Sequence, residues 1–181
     1  MPRVVLTGGP GAGKTTLLAE LASMGHAIVD ESARAIIAER LARGASRRPS
    51  PADFAREILR RDLEKYVCQP QTADWVFFDR GVVDALGMLQ EVAPLPSDTL
   101  ADMLAAYAYH PLVFVLPPWG EIYAQDAERD QSFADAVRVY DKVIEWYRSC
   151  GYTLHELPRG SVAQRAQYVL RVLAEPTPDT R

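Results

Sequence analysis

Eight consecutive residues, Gly8, Gly9, Pro10, Gly11, Ala12, Gly13, Lys14 and Thr15, satisfy the spacing G-x-x-x-x-G-K-[ST], in which a glycine-rich turn wraps a phosphate with its own backbone. The glycines allow backbone angles that expose successive N–H groups to phosphate oxygens, and a helix starting at the turn adds the positive end of its dipole. Lys14 is expected to reach the β- and γ-phosphates, and the Thr15 hydroxyl to bind Mg²⁺. With Thr16, which follows on the helix, these residues form the expected cradle for ATP and its Mg²⁺.

Further groups with chemistry stand at the ends of apolar runs. Asp79 closes the run from Trp75 to Phe78, where a second acid is wanted to hold the Mg²⁺ shell; pairing with Arg80 or capping the next helix would also account for it. Arg80 is placed to face a substrate or a phosphate. Glu31, after the run Ala27 to Val29, could take the proton of an attacking hydroxyl; Asp30 could do the same, and either acid could instead cap the helix that follows. Arg34 lies one turn beyond and joins Asp30, Glu31 and Arg80 as an expected substrate contact. Arg129, in a polar irregular stretch, is positioned to stabilise charge on a transferring phosphoryl group. Trp119 and Tyr123 in that stretch would stack on a base or cover it. Pro158, Arg159 and Gly160 could form one side of a base pocket. His26, His110 and His155 have no metal spacing, and Arg47 and Arg48, between turn residues, read as solvated.

The elements that position these groups alternate. Strands are expected at 3–7, 27–29, 75–78, 112–116 and 152–157, and helices from Thr15 to Gly25, Ser32 to Ala42, Pro51 to Cys68, Val82 to Val92, Asp98 to Ala108, Phe133 to Ser149 and Ser161 to Leu173. This predicts an α/β fold: a five-stranded parallel sheet with helices on both faces and right-handed crossovers. Ligands of such sheets lie beyond the carboxyl ends of the strands, where the polar clusters converge. One domain over 1–174 is expected, with a lid at about 117–132 and a loose tail over 175–181.

The 181 residues are 48 % hydrophobic and 24 % charged, which suits one soluble globular core, and the net charge of -4 argues against a surface built for nucleic acid. The two cysteines fit neither a disulfide framework nor a metal motif. No leader-like segment precedes the first strand and no apolar run reaches membrane length, so a cytoplasmic location without a membrane partner is expected.

Taken together, residues Leu6 to Leu17, Glu31 to Arg34, Phe78 to Gly81 with Asp84, Arg129, Gly151-Tyr152 and Leu157-Pro158 resemble the predicted-ATPase branch of kinase-like P-loop NTPases, relatives of the nicotinamide-riboside kinase domain of bacterial NAD-metabolism regulators. The branch often carries the label AAA, yet this chain has no room for the small helical domain of ring-forming AAA ATPases, so no ring motor is expected. The Glu31 and Asp79-Arg80 pattern is also similar to that of deoxynucleoside kinases, where the corresponding acid serves as base and the Asp-Arg pair steadies it. The chain departs from them at Ser32, where they commonly carry proline. The resemblance implies an ATP-dependent kinase acting on a small-molecule acceptor, with catalytic Lys14, Glu31, Arg80 and Arg129. The alternative is an ATP- or GTP-hydrolysing switch with a protein partner.

Overall fold

The structure is a computed structural model and describes residues 3–69, 75–123 and 132–175. In chain order the elements are β1 (Arg3–Gly8), α1 (Lys14–Ser23), β2 (Ala27–Val29), α2 (Ser32–Ala42), α3 (Pro51–Cys68), β3 (Val76–Asp79), α4 (Val82–Val92), α5 (Ser97–Ala106), β4 (Leu112–Leu116), α6 (Phe133–Ser149), β5 (Thr153–Glu156) and α7 (Val162–Ala174). The five strands form one parallel sheet in the order β2-β3-β1-β4-β5. The fold class and every expected strand and helix are present, with ends displaced by no more than three residues. Arg129 and half of the expected lid lie outside the described residues, as does the tail after Glu175.

Successive strand residues serve opposite faces, as the two-residue period requires. Val5, Phe78, Val113 and Val115 enter a core with α2, α3, α4 and α6, whereas Val4, Leu6, Phe77, Phe114 and Leu116 enter a second core with α1 and α7. Both faces are therefore covered, and the central strands β1, β3 and β4 read as continuous apolar runs rather than alternating ones, whereas the edge strand β5 is partly exposed.

Capping defines the helices. The Ser50, Ser132 and Ser161 hydroxyls accept the backbone N–H three residues on, opening α3, α6 and α7. Gly25 and Gly151 follow α1 and α6 at φ +94° and +84°, where a side chain would be strained. Arg61 of α3 donates two 2.8 Å hydrogen bonds to Glu39 of α2, and Lys65 donates to the Asp30 carbonyl at 2.5 Å, so α3 fixes the turn carrying Asp30 and Glu31. The described residues contain no helix long and apolar enough to cross a membrane.

Candidate active site

The pairing of Leu6 with Asp79 and of Gly8 with Leu116 brings the carboxyl ends of β3, β1 and β4 side by side, and the loop 8–13 rises between them into α1. Glycine is required there by contact as well as by angle. A Cβ on Gly8, at φ +132°, would stand 2.4 Å from the Leu116 carbonyl oxygen, and one on Gly9 2.5 Å from that of Ala136. The Tyr123 ring lies over Gly11 and meets Phe133 edge-on at 5.5 Å, so Tyr123 covers the loop. Lys14 is buried and folds back, its Nζ donating to the Gly9 carbonyl at 3.0 Å and the Gly8 carbonyl at 3.5 Å. Burial, then the neighbouring Arg80 charge, lowers its pKa to about 8.

Arg80 is the one non-glycine residue with positive φ among the described residues, at +64°. That strained conformation turns its side chain back across the strand ends. Its Nη2 donates to the Gly8 carbonyl at 2.7 Å, its Nε to Glu31 Oε1 at 3.1 Å and its Nη1 to Asp84 Oδ1 at 3.4 Å. Glu31 occupies the N-cap position of α2, but its side chain makes no capping bond; it faces Arg80. Burial works against the Glu31 charge, yet Arg80, Lys14 and Arg34 outweigh it and hold the carboxyl below its ordinary range.

Asp84 completes this cluster and was not singled out as a site residue from sequence. It accepts from the Thr7 hydroxyl at 2.5 Å, the Tyr147 hydroxyl at 2.6 Å and the Gly81 N–H at 3.0 Å, locking β1, α4 and α6 together beneath Arg80. Tyr109 caps the same turn, its hydroxyl accepting the Val82 N–H at 3.1 Å.

From the phosphate loop the cleft runs on without interruption into a chamber between α2 and α3 on one side and α4 and α6 on the other, about 1380 Å³ in all. Lys14, Thr15, Thr16, Glu31, Asp79 and Arg80 line its inner end, and Ile37, Phe54, Ile58, Met88, Val143 and Trp146 give the chamber an apolar wall. The Trp146 N–H donates to the Val83 carbonyl at 2.7 Å, and its indole lies so flat on α4 that a Cβ on Gly87 would stand 2.8 Å from the ring. Asp62 and Gln90, which carry no mark in the sequence, line the chamber, as does Arg48. Gln90 Nε2 is buried without a hydrogen-bond partner among the described residues. Arg48, read as solvated, is half-buried at the chamber wall near the Phe54 ring, because the turn after α2 folds inward against α3.

The sequence-derived candidates thus separate. Glu31, Arg34, Asp79, Arg80 and the loop line the cleft, whereas Asp30 is exposed and does not. Trp119 donates its N–H to Glu121 at 2.7 Å, and Arg159 reaches the Pro118 carbonyl at 3.5 Å, so the turns after β4 and β5 touch. The histidines pack structurally: His26 lies edge-on to Phe77, and His110 Nδ1 accepts the Leu112 N–H.

The residues fit a magnesium ion. Asp79 Oδ1 is buried without a hydrogen-bond partner among the described residues, and burial raises the carboxyl to about 6, an arrangement that a cation or its bound water would relieve. Thr15 is exposed on the first turn of α1 and faces the same cleft. One hydroxyl and one carboxylate, completed by water and phosphate oxygens, is the sparse donor set that Mg²⁺ accepts. Asp79→Asn is expected to raise the Mg²⁺ concentration for half-maximal turnover by roughly 10- to 100-fold; an unchanged Mg²⁺ titration would return Asp79 to a structural role.

Asp62 governs a pH effect on stability. It is buried, accepts the Ser32 hydroxyl, and burial raises its pKa to about 7 from an ordinary 3.8. The folded chain therefore holds a proton that the unfolded chain has released, so this group lowers stability as pH rises from about 4 to about 7. Asp62→Asn removes that term. The variant should melt roughly 3–8 °C higher than the unaltered protein at pH 8, with the advantage vanishing near pH 4; equal melting at pH 8 would contradict the raised pKa.

An AAA domain family profile matches residues 3–165. No curated protein matches the chain. Among solved structures, thymidylate kinase from Ehrlichia chaffeensis is similar at TM-score 0.63 and 14 % identity, covering 94 % of this chain and 97 % of that one. A deoxyadenosine kinase from M. mycoides with bound dATP reaches TM-score 0.64 at 12 % identity, covering 96 % and 100 %. Shikimate kinase from Acinetobacter baumannii in complex with shikimate reaches 0.57 at 19 %, covering 96 % and 93 %. At such identities the likeness is one of fold, that of the kinase-like P-loop NTPases.

Proposed function

The chain belongs to the AAA domain family, and from that membership and the form of its cleft we propose that it transfers the γ-phosphoryl group of Mg·ATP to a hydroxyl of a small molecule. One observation carries this reading. A cleft of about 1380 Å³ exceeds the roughly 300–1,000 Å³ that serves one ligand, and it extends from the phosphate loop into a chamber with an apolar wall and numerous polar and charged groups, which leaves room for nucleotide and acceptor side by side. A hydrolytic switch would need no such chamber.

In this mechanism Lys14 leaves the Gly9 carbonyl for the β- and γ-phosphates, supplying charge where the transition state gathers it. Glu31, oriented by Arg80, accepts the proton of the acceptor hydroxyl as its oxygen bonds to the γ-phosphorus and the bond to the β-phosphate oxygen breaks, releasing ADP. Thr15 and Asp79 would hold the Mg²⁺ ion, which when bound neutralises phosphate charge. Arg34, on the cleft wall one turn beyond Glu31, would contact the acceptor, and Arg129 would add its charge from the lid.

The sequence resemblance to nicotinamide-riboside kinase domains and the likeness of fold to thymidylate, deoxyadenosine and shikimate kinases suggest the acceptors to try: nucleosides, nucleoside monophosphates and hydroxylated ring acids. ADP release and phosphorylated product are measured together across this panel. The expected result is one acceptor that raises ADP formation with one product molecule per ADP. ATP hydrolysis indifferent to every acceptor would overturn the kinase reading in favour of the switch.

A further inference from the structure

Behind the phosphate loop lies a buried cation outside the cleft. Arg165, in the first turn of α7, is 4 % exposed and has no ion-pair partner among the described residues. Its Nη2 donates to the Ala12 carbonyl at 3.2 Å, and its Nη1 lies 3.0 Å from where a Cβ on Gly13 would stand. Its Cζ is 6.0 Å from the centre of the Trp119 ring, and its buried Nε has no hydrogen-bond partner among the described residues. These contacts are with the phosphate loop and the turn after β4.

A cation withdrawn from water without a counter-charge destabilises the fold that holds it. Burial alone pulls the Arg165 pKa down, so no carboxylate among the described residues offsets that cost. The loop it backs is built to collect negative charge on its other side. Phosphate-binding loops turn N–H groups toward the ligand and carbonyls away, and here the Ala12 carbonyl is turned to a guanidinium. A charged donor at that oxygen polarises the Ala12–Gly13 peptide and makes the Gly13 N–H a stronger donor. In a poorly hydrated setting the positive charge also reaches the phosphates across the loop with little screening.

We propose that Arg165 is a nucleotide-positioning residue whose missing counter-charge is the bound triphosphate, felt through the Ala12–Gly13 peptide. The proposal rests on the nucleotide-binding part of the function proposed above. It makes the two states of the protein respond oppositely to loss of the charge: the nucleotide-free fold is relieved, and the complex is weakened. An arginine serving packing alone would weaken the fold and leave the charge of the ligand irrelevant.

The test compares the full chain with Arg165→Met and with Arg165→Gln, which keeps a donor for the Ala12 carbonyl without the charge. Melting is followed without ligand, and binding of Mg²⁺ with a non-hydrolysable ATP analogue or with inorganic pyrophosphate is followed by calorimetry. The expected result is an unchanged or higher nucleotide-free melting temperature, a roughly 10- to 100-fold loss of affinity for both probes, and a raised KM for ATP with kcat nearly kept. Variants that bind both probes like the unaltered protein overturn the proposal alone. Variants that melt several degrees lower, or do not fold, assign Arg165 to the architecture and also overturn it. Failure of the unaltered protein to bind either probe removes both the proposal and the nucleotide-binding reading beneath it.

Discussion

Lys14→Ala is expected to lower ATP turnover by about 1,000-fold or more while shifting the melting temperature by only a few degrees. Among the described residues the ammonium has no carboxylate bonded to it; it rests on the Gly8 and Gly9 carbonyls, bonds that can be exchanged for phosphate oxygens. Burial and then Arg80 lower its pKa against the opposing pull of Asp79, Glu31 and Asp84, so the cation is held at a net cost that phosphate charge would offset. Alanine therefore deletes a group that serves the ligand, and the buried fold loses a strained charge rather than a support. Steady-state ADP release and thermal melting measured on the same preparation decide the matter. Turnover within tenfold of the unaltered protein would remove the phosphate loop from the chemistry, and loss of folding would show that Lys14 is structural.

Glu31→Gln is expected to cut acceptor phosphorylation by roughly 100- to 10,000-fold, the range of general acid–base contributions, with nucleotide affinity nearly unchanged. Glutamine keeps the shape and can still accept a bond from Arg80, so the geometry at Asp84 and Gly8 should persist. What it cannot do is take a proton. The basic groups around Glu31 hold it ionised and make it a weak base, suited to a loose transition state in which the proton leaves late. Asp30→Asn is the matched control: its side chain is exposed and away from the cleft, and its backbone carbonyl, the atom bound by Lys65, is untouched. Equal losses in the two variants, or none in Glu31→Gln, would exclude Glu31 as the base.

The fold could be read from periodicity because its central strands β1, β3 and β4 are buried on both faces and bounded by Gly, Pro or acid turns, and because serine caps open three of its helices. The phosphate loop was legible because its chemistry is local, carried by consecutive backbone groups. What escaped depends on where helices cross. Asp84 looks like an ordinary acid in the first turn of α4, and only the approach of Thr7 and Tyr147 makes it the knot beneath Arg80. Asp62 sits on a helix rich in charge and Arg165 in the first turn of an amphipathic one, where sequence gives a charged residue no sign that it faces inward. Ser32 marked a departure from the deoxynucleoside kinases, and the structure gives it a physical partner in Asp62.

The contact between Trp146 and Gly87 bears on how such a chain can diverge. The indole fits over α4 only because position 87 has no side chain, and both positions face the chamber away from the phosphate loop. Among descendants of this sequence, the two should change as a pair: a larger residue at 87 would require a smaller one at 146, and the exchange would reshape the room for the second substrate without disturbing Lys14, Glu31 or Arg80. Selection would thus have in this pair a means of trading one acceptor for another while the phosphoryl-transfer apparatus is inherited intact.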